Sequence, residues 1–185
     1  MKVEGWLEIF RKHPQLNVMS LRHLELLTGQ KPHALRVGLS RLVRRGVIRR
    51  ICRGHYANPF HPPTLEQIAS QIHSPSYVSL ESALSRHGVL SQMPQELTCV
   101  TTRASRTLRT SYGLIRYRKI KKEFFFGFSI QGGAALAEPE KALADLLYFR
   151  RRGAPSRPLP DLNREGIRAG KLRSYARRME IPLPP

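Results

Sequence analysis

From Asn58 to Pro63 the chain reads Asn-Pro-Phe-His-Pro-Pro. Pro59, Pro62 and Pro63 have no N–H to give a helix or a ladder, and each forces the residue before it toward extended backbone. No regular element crosses such a stretch, so whatever precedes it must complete its own fold. A second proline series starts after Gly153, at Pro155, Pro158 and Pro160. Together the two breaks predict a first domain over residues 1–60, a second over 61–152, and a basic, proline-containing tail over 153–185.

Inside the first sixty residues the apolar spacing is helical. Val3, Trp6, Leu7, Ile9 and Phe10 predict a helix over residues 3–12, ended before Pro14. Ser20 is a good N-cap for a second helix over 21–28, whose stripe is Leu21, Leu24 and Leu27 and whose stop is Gly29. Pro32 then suits the first position of a third helix, which runs to about Arg45 and closes at Gly46. The short, glycine-containing join between the second and third is that of a helix-turn-helix.

At 100° per residue, Leu35, Leu39, Leu42 and Val43 fall on one side of the third helix. His33, Val37, Ser40, Arg41 and Arg44 fall on the other, with Arg36 on the flank. In a helix-turn-helix that outer face enters the major groove. Arginine pairs with guanine edges, Ser and His bond bases or phosphates, and Val37 suits a thymine methyl. Val47–Ile51 then predicts a strand, Cys52-Arg53-Gly54 a turn and His55-Tyr56-Ala57 a returning strand. This is a β-wing that brings Arg49, Arg50 and Arg53 beside the DNA backbone. The expected DNA-binding set is therefore His33, Arg36, Val37, Ser40, Arg41, Arg44, Arg49, Arg50 and Arg53.

Charge agrees with that placement. The chain has 185 residues and a formal charge of +19. Residues 1–60 hold 12 basic and 3 acidic residues (+9), residues 61–145 hold 10 and 7 (+3), and residues 146–185 hold 10 and 3 (+7). Surfaces of this kind attract phosphate backbones through counterion release. No apolar run approaches the ~18 residues of a membrane span, and the N-terminus does not have the pattern of a signal peptide. Cys52 and Cys99 are too few for a disulfide framework or a four-ligand zinc site. A reducing cytoplasm is the expected setting.

In the middle segment, Leu65, Ile68, Ala69 and Ile72 suggest a short helix. Ser79 is placed to cap another that ends at Gly88. Strand-like runs follow at 97–101, 107–111, 114–117 and 124–128. Glu138-Pro139-Glu140 opens a strong helix, with Pro139 at its first position, both glutamates favoured by the helix dipole, and an apolar stripe of Ala142, Leu143, Leu146 and Leu147.

The winged-helix pattern, Tyr77-Val78-Ser79-Leu80-Glu81-Ser82-Ala83-Leu84, Val100-Thr101-Thr102-Arg103 and Glu138-Pro139-Glu140-Lys141-Ala142-Leu143 occur here in a set order. In this the sequence resembles the AbiEi antitoxins over about residues 1–150. They are the regulator halves of type IV toxin–antitoxin, phage-defence operons. The resemblance implies an N-terminal winged helix that binds inverted repeats in its own promoter and represses transcription. It also implies a C-terminal domain that counters a nucleotidyltransferase-like toxin, a link that need not involve a stable complex. The third helix and wing carry over as DNA-binding positions. Antitoxicity carries over only as a property of the 77–150 domain. After Tyr148 the sequence is short and basic where many members continue with a longer domain.

Arg116 and Arg118 would share a sheet face, with Tyr112 and Tyr117 interleaved as in single-strand binders. Such a surface would prolong a DNA footprint or contact RNA, and the alternative reading of the chain is a protein- or RNA-binding adaptor with a non-specific basic surface. Glu138, Glu140 and Asp145 are the acidic cluster a nuclease would need, but Glu138 and Glu140 diverge by about 200° on a helix, and capping explains them better. The histidines lack metal-ligand spacing, and no Walker loop, G-x-S-x-G or G-x-G-x-x-G occurs. The sequence thus predicts an α+β protein without enzyme activity, metal or cofactor. A winged helix-turn-helix is followed by a mixed α/β domain with a small antiparallel sheet. Its partner is double-stranded DNA and not a membrane.

Overall fold

The structure, a computed structural model, describes residues 1–153 and 162–182. Pro155, Pro158 and Pro160 lie outside the described residues. The chain is α+β, with seven α-helices and two sheets among the described residues. It divides into two compact units. The first is Met1–Ile68 with Arg109–Tyr112, and the second is Ala69–Leu108 with Gly113–Pro185. The first unit thus takes in the proline connector and the first half of the following helix rather than ending at Phe60.

In the first unit α1 (Val3–Lys12) is followed by β1 (Val18–Ser20), α2 (Leu21–Thr28) and α3 (Pro32–Arg44), then β2 (Arg50–Cys52) and β3 (His55–Ala57). The strands form an antiparallel sheet of order β1-β3-β2, with Val18 opposite Ala57. β1 was not expected from the sequence. Ser20 caps α2 as expected: its Oγ accepts from the His23 N–H at 3.2 Å, and His23 Nδ1 accepts from the Ser20 N–H at 3.4 Å, a reciprocal box with histidine in the third position. The core is Trp6, Phe10, Met19, Leu24, Leu35, Leu39, Leu42, Ile48 and Tyr56. Gly38 sits within α3, where glycine usually weakens a helix. A Cβ there would lie 3.3 Å from Trp6 Cζ2, so the missing side chain lets Trp6 press against α3.

Asn58 joins the end of α1 to the chain leaving β3, and it is fully buried. Its Nδ2 donates to the carbonyls of Phe10 (3.0 Å) and His13 (3.3 Å), and its Oδ1 accepts from the Phe60 N–H at 3.0 Å. An Asn58→Ala change leaves these buried groups unpaired, with an expected loss of about 1–3 kcal/mol. Urea titration followed by the fluorescence of Trp6 measures it. A loss below about 0.5 kcal/mol would show that water replaces the staple.

The second unit is built on a six-stranded sheet of order β6-β7-β5-β4-β9-β8. Its strands are β4 (Ser76–Val78), β5 (Leu97–Thr101), β6 (Arg106–Thr110), β7 (Gly113–Lys119), β8 (Phe128–Gln131) and β9 (Ala134–Ala137). β4–β5 and β8–β9 are antiparallel, whereas β5–β7 and β4–β9 are parallel. The small antiparallel sheet expected from the sequence is therefore a larger, mixed one. Parallel pairing needs a crossover, and local alternation of side chains says nothing about which distant strand will be the partner. The expected strand over 124–128 is a 3-10 turn at Lys122–Phe124 followed by β8.

Among the helices α4 (Leu65–Ile72), α5 (Leu80–Arg86), α6 (Pro139–Arg151) and α7 (Ala169–Arg178), the last lies within the stretch read from sequence as a basic tail. It buries Ala176, and Met179 and Ile181, which follow it, are buried too. Ser79 stands at the start of α5 without capping it: its Oγ donates to Asp145 Oδ2 at 2.8 Å. Thr98 takes over the capping task, its Oγ1 accepting from the Ser82 N–H at 3.2 Å and donating to the Ser79 carbonyl at 2.8 Å. Among the described residues no helix is long and apolar enough to cross a membrane.

Candidate nucleic-acid interface

α3 turns Leu35, Leu39 and Leu42 into the core of the first unit. Its other side exposes His33, Arg36, Val37, Ser40, Arg41 and Arg44. No acidic residue occurs in α3, and Arg36, Arg41 and Arg44 make no ion pair among the described residues. Three residues, Gly29–Lys31, join α2 to α3. Gly29 takes φ of 63° and its N–H donates to the Glu25 carbonyl, which is the left-handed stop that ends α2.

The side of α3 next to α1 forms a groove of about 500 Å³. Val3 and Trp6 lie along it with Ala34, Val37 and Gly38, and the cations Lys2, Arg41 and Arg45 and the imidazole of His33 border it. Lys2 and Arg45 were absent from the expected set. Nothing in the local spacing of Lys2 links it to residues forty positions away. Arg45 follows the last turn of α3 and continues the flank begun by Arg41.

The hairpin of β2 and β3 turns at Arg53-Gly54, where Gly54 has φ of 79°. Arg53 is exposed at this turn. Arg50 is exposed too, and its Nε donates to the Cys52 carbonyl at 3.3 Å, which aligns the guanidinium along the strand. Arg49 is already engaged within the first unit. Its Nε donates to Ser111 Oγ at 3.1 Å, a second nitrogen donates to the Ser111 carbonyl, and its guanidinium lies 4.3 Å from the centre of the Tyr112 ring. All nine expected residues are exposed, and Arg49 and Arg50 also have hydrogen-bond partners within the protein.

The second basic stretch is built differently from its sequence pattern. Arg116 makes a bidentate pair with Glu96 at 2.6 and 3.0 Å. Arg118 lies 5.1 Å over the ring of Phe149. Tyr117 is buried, its hydroxyl donating to the Ala69 carbonyl at 2.9 Å, and the Tyr112 ring is covered by Arg49. The interleaved aromatic and basic residues do not form an open stacking platform.

The three carboxylates weighed as a cluster go to three separate sets of donors. Glu138 Oε2 accepts from the Tyr175 hydroxyl at 2.5 Å and pairs with Lys171 at 2.7 Å. Glu140 Oε1 accepts from the N–H and Nε of Arg168 at 3.1 and 2.8 Å. Asp145 accepts from Tyr77, Ser79 and Lys141 in a site where Tyr77, Lys141 and Asp145 are fully buried. Burial pushes the Asp145 carboxyl up and the Lys141 amine down, against the pull each exerts on the other. The sequence signal for this pair was present: Lys141 and Asp145 are four apart on an otherwise apolar helix face.

For Glu138 and Glu140 burial acts to raise the carboxyls, but the donors from Lys171, Tyr175 and Arg168 outweigh it and hold both below the ordinary value of 4.5. A folded-state value below the unfolded one contributes stability that is full above the unfolded value. That contribution is lost as pH falls through the folded value. The docking of α7 on α6 is therefore expected to weaken below about pH 4. Denaturant midpoints of the native chain and a Glu138→Gln/Glu140→Gln variant should converge as the solution is acidified. Parallel pH curves for the two would remove these carboxylates from the account. The chain matches no protein-family model and no curated protein.

Proposed function

We propose that this protein is a sequence-specific DNA-binding transcriptional repressor. In this reading the first unit is a winged helix: α3 enters the major groove and the β2–β3 hairpin lies against the neighbouring backbone. The observation that carries the reading is the outer face of α3, where His33, Arg36, Val37, Ser40, Arg41 and Arg44 are exposed with no carboxylate among them. That face stands opposite three buried leucines, so the helix is held by its back and offers its cations outward. Arg50 and Arg53 on the hairpin, and Lys2 and Arg45 by the groove, supply further phosphate contacts.

The operon-level role rests on the resemblance in the motifs at 77–84, 100–103 and 138–143. On that basis the protein represses its own operon in the cytoplasm and acts as the antitoxin to a nucleotidyltransferase-like toxin. Single-strand stacking on the second basic stretch would need an open aromatic platform, and Tyr112 and Tyr117 are both committed elsewhere. A mobility-shift assay with the DNA upstream of the gene tests the proposal. Binding should survive an excess of random duplex at moderate salt. Equal competition by random duplex would overturn it.

A further inference from the structure

α7 carries cations on two faces, and only one of these faces has partners. On the inner face Arg168 and Lys171 pair with Glu140 and Glu138 at 2.8 and 2.7 Å. Tyr175 donates to Glu138, Arg178 lies 3.7 Å from the centre of the Phe126 ring, and Ala176 is buried. The outer face consists of Gly170, Arg173, Ser174 and Arg177, spaced i, i+3, i+4 and i+7, and all four are exposed. Arg173 and Arg177 make no ion pair among the described residues. A third exposed guanidinium reaches the same end, because Arg151 of α6 donates to the Glu180 carbonyl at 3.3 Å.

Fixing four cations on one short helix, with Arg168 as a fifth at its N-cap, is opposed by self-repulsion in a chain of +19. The inner pairs offset part of it and lock the helix in place. Covering α6 requires nothing of the outer face, and neutral or acidic residues there would lower the repulsion. Arginines raise it instead. Beside them on the same face stand Gly170 and Ser174, small enough for a sugar-phosphate chain to come close, and one turn of helix separates Arg173 from Arg177.

We infer that the outer face of α7 is a second phosphate-binding surface, which holds the phosphodiester backbone of a nucleic acid through Arg173, Arg177 and Arg151 without reading its bases. The surface belongs to the second unit alone and does not depend on whether α3 recognises an operator.

Fluorescence anisotropy of the full chain with labelled random duplex DNA, and separately with single-stranded RNA of matched length, tests this across about 50 to 200 mM salt. Arg173→Gln/Arg177→Gln should flatten the slope of log affinity against log salt by about 1.8 for duplex or about 1.4 for single strand. The arm that responds identifies the source of the backbone. Arg173→Lys/Arg177→Lys should keep the native slope, because phosphate contacts of this kind follow charge. Lys119→Gln/Lys122→Gln makes the same change of charge elsewhere on the second unit and should leave the slope unchanged. Native slopes for the glutamine variant in both arms, or an equal loss in the Lys119/Lys122 control, would overturn the inference. Failure of operator recognition would appear separately, as equal affinity for upstream and random duplex with the α7 slope effect intact.

Discussion

Asp145→Ala is expected to destabilise the second unit by about 3–5 kcal/mol, the range for removing one partner of a buried ion pair. Asp145 accepts from Tyr77 at 2.9 Å, from Ser79 at 2.8 Å and from Lys141, and Lys141 Nζ also donates to the Tyr77 hydroxyl at 2.9 Å. Alanine leaves an ammonium, a phenol and a hydroxyl without their acceptor in a space closed to water. Lys141 cannot swing out to solvent. Its stem lies against Gly127, where a Cβ would meet Lys141 Cγ at 3.0 Å, and its ammonium stands 5.4 and 5.0 Å from the ring centres of Tyr77 and Phe126. Adding Lys141→Met and changing Asp145 to Asn instead removes both charges while leaving an acceptor for Tyr77 and Ser79. That double variant should recover most of the loss, because the attraction within a buried pair is largely offset by the cost of its own desolvation. Far-UV circular dichroism in urea measures the change, with Trp6, the chain's single tryptophan, reporting the first unit. A loss under about 1 kcal/mol for Asp145→Ala would mean that the pair is not held as ions.

This network also marks where reading the sequence stops. Pro139 at the first position of α6 is legible, and so is the acidic start, because both follow from the helix's own hydrogen bonds and dipole. That Lys141 and Asp145 turn inward depends on Tyr77 and Ser79, more than sixty positions away. The same divide separates the two units. α1, α2 and α3 follow from apolar spacing and caps at Ser20, Gly29 and Pro32, all local. β1 is three residues long and exists through its pairing with β3, Val18 with Ala57. In β5 every residue of Leu97–Thr101 is buried, so the strand lacks the alternation of a half-exposed hairpin. α7 was hidden by its charge: five cations in the eleven residues from Arg168 to Arg178 resemble a solvated tail until Glu138 and Glu140 are seen to accept from Arg168, Lys171 and Tyr175.

Arg36→Ala should lower affinity for the preferred operator by about 1–3 kcal/mol while leaving random duplex nearly unaffected. Each 1.4 kcal/mol is tenfold, so the selectivity ratio itself should fall by about one to two powers of ten. The basis is position. Arg36 lies in the first half of α3, the part that points deepest into a major groove, on the flank away from α1. Arg41 is about 140° further round the helix and borders the groove with Lys2 and Arg45. In the proposed binding mode its guanidinium meets the DNA backbone along that groove rather than a base edge. Arg41→Ala should therefore weaken operator and random duplex alike and reduce the salt slope by about 0.9, as should Arg53→Ala on the hairpin. Competition titrations at two salt concentrations separate the two behaviours. If Arg41→Ala reduced selectivity and Arg36→Ala reduced only the salt slope, the helix would lie in the groove the other way round, with α1 toward the bases. The exposed cations would then be the same, but the base-reading edge would run through Arg41, Val37 and His33.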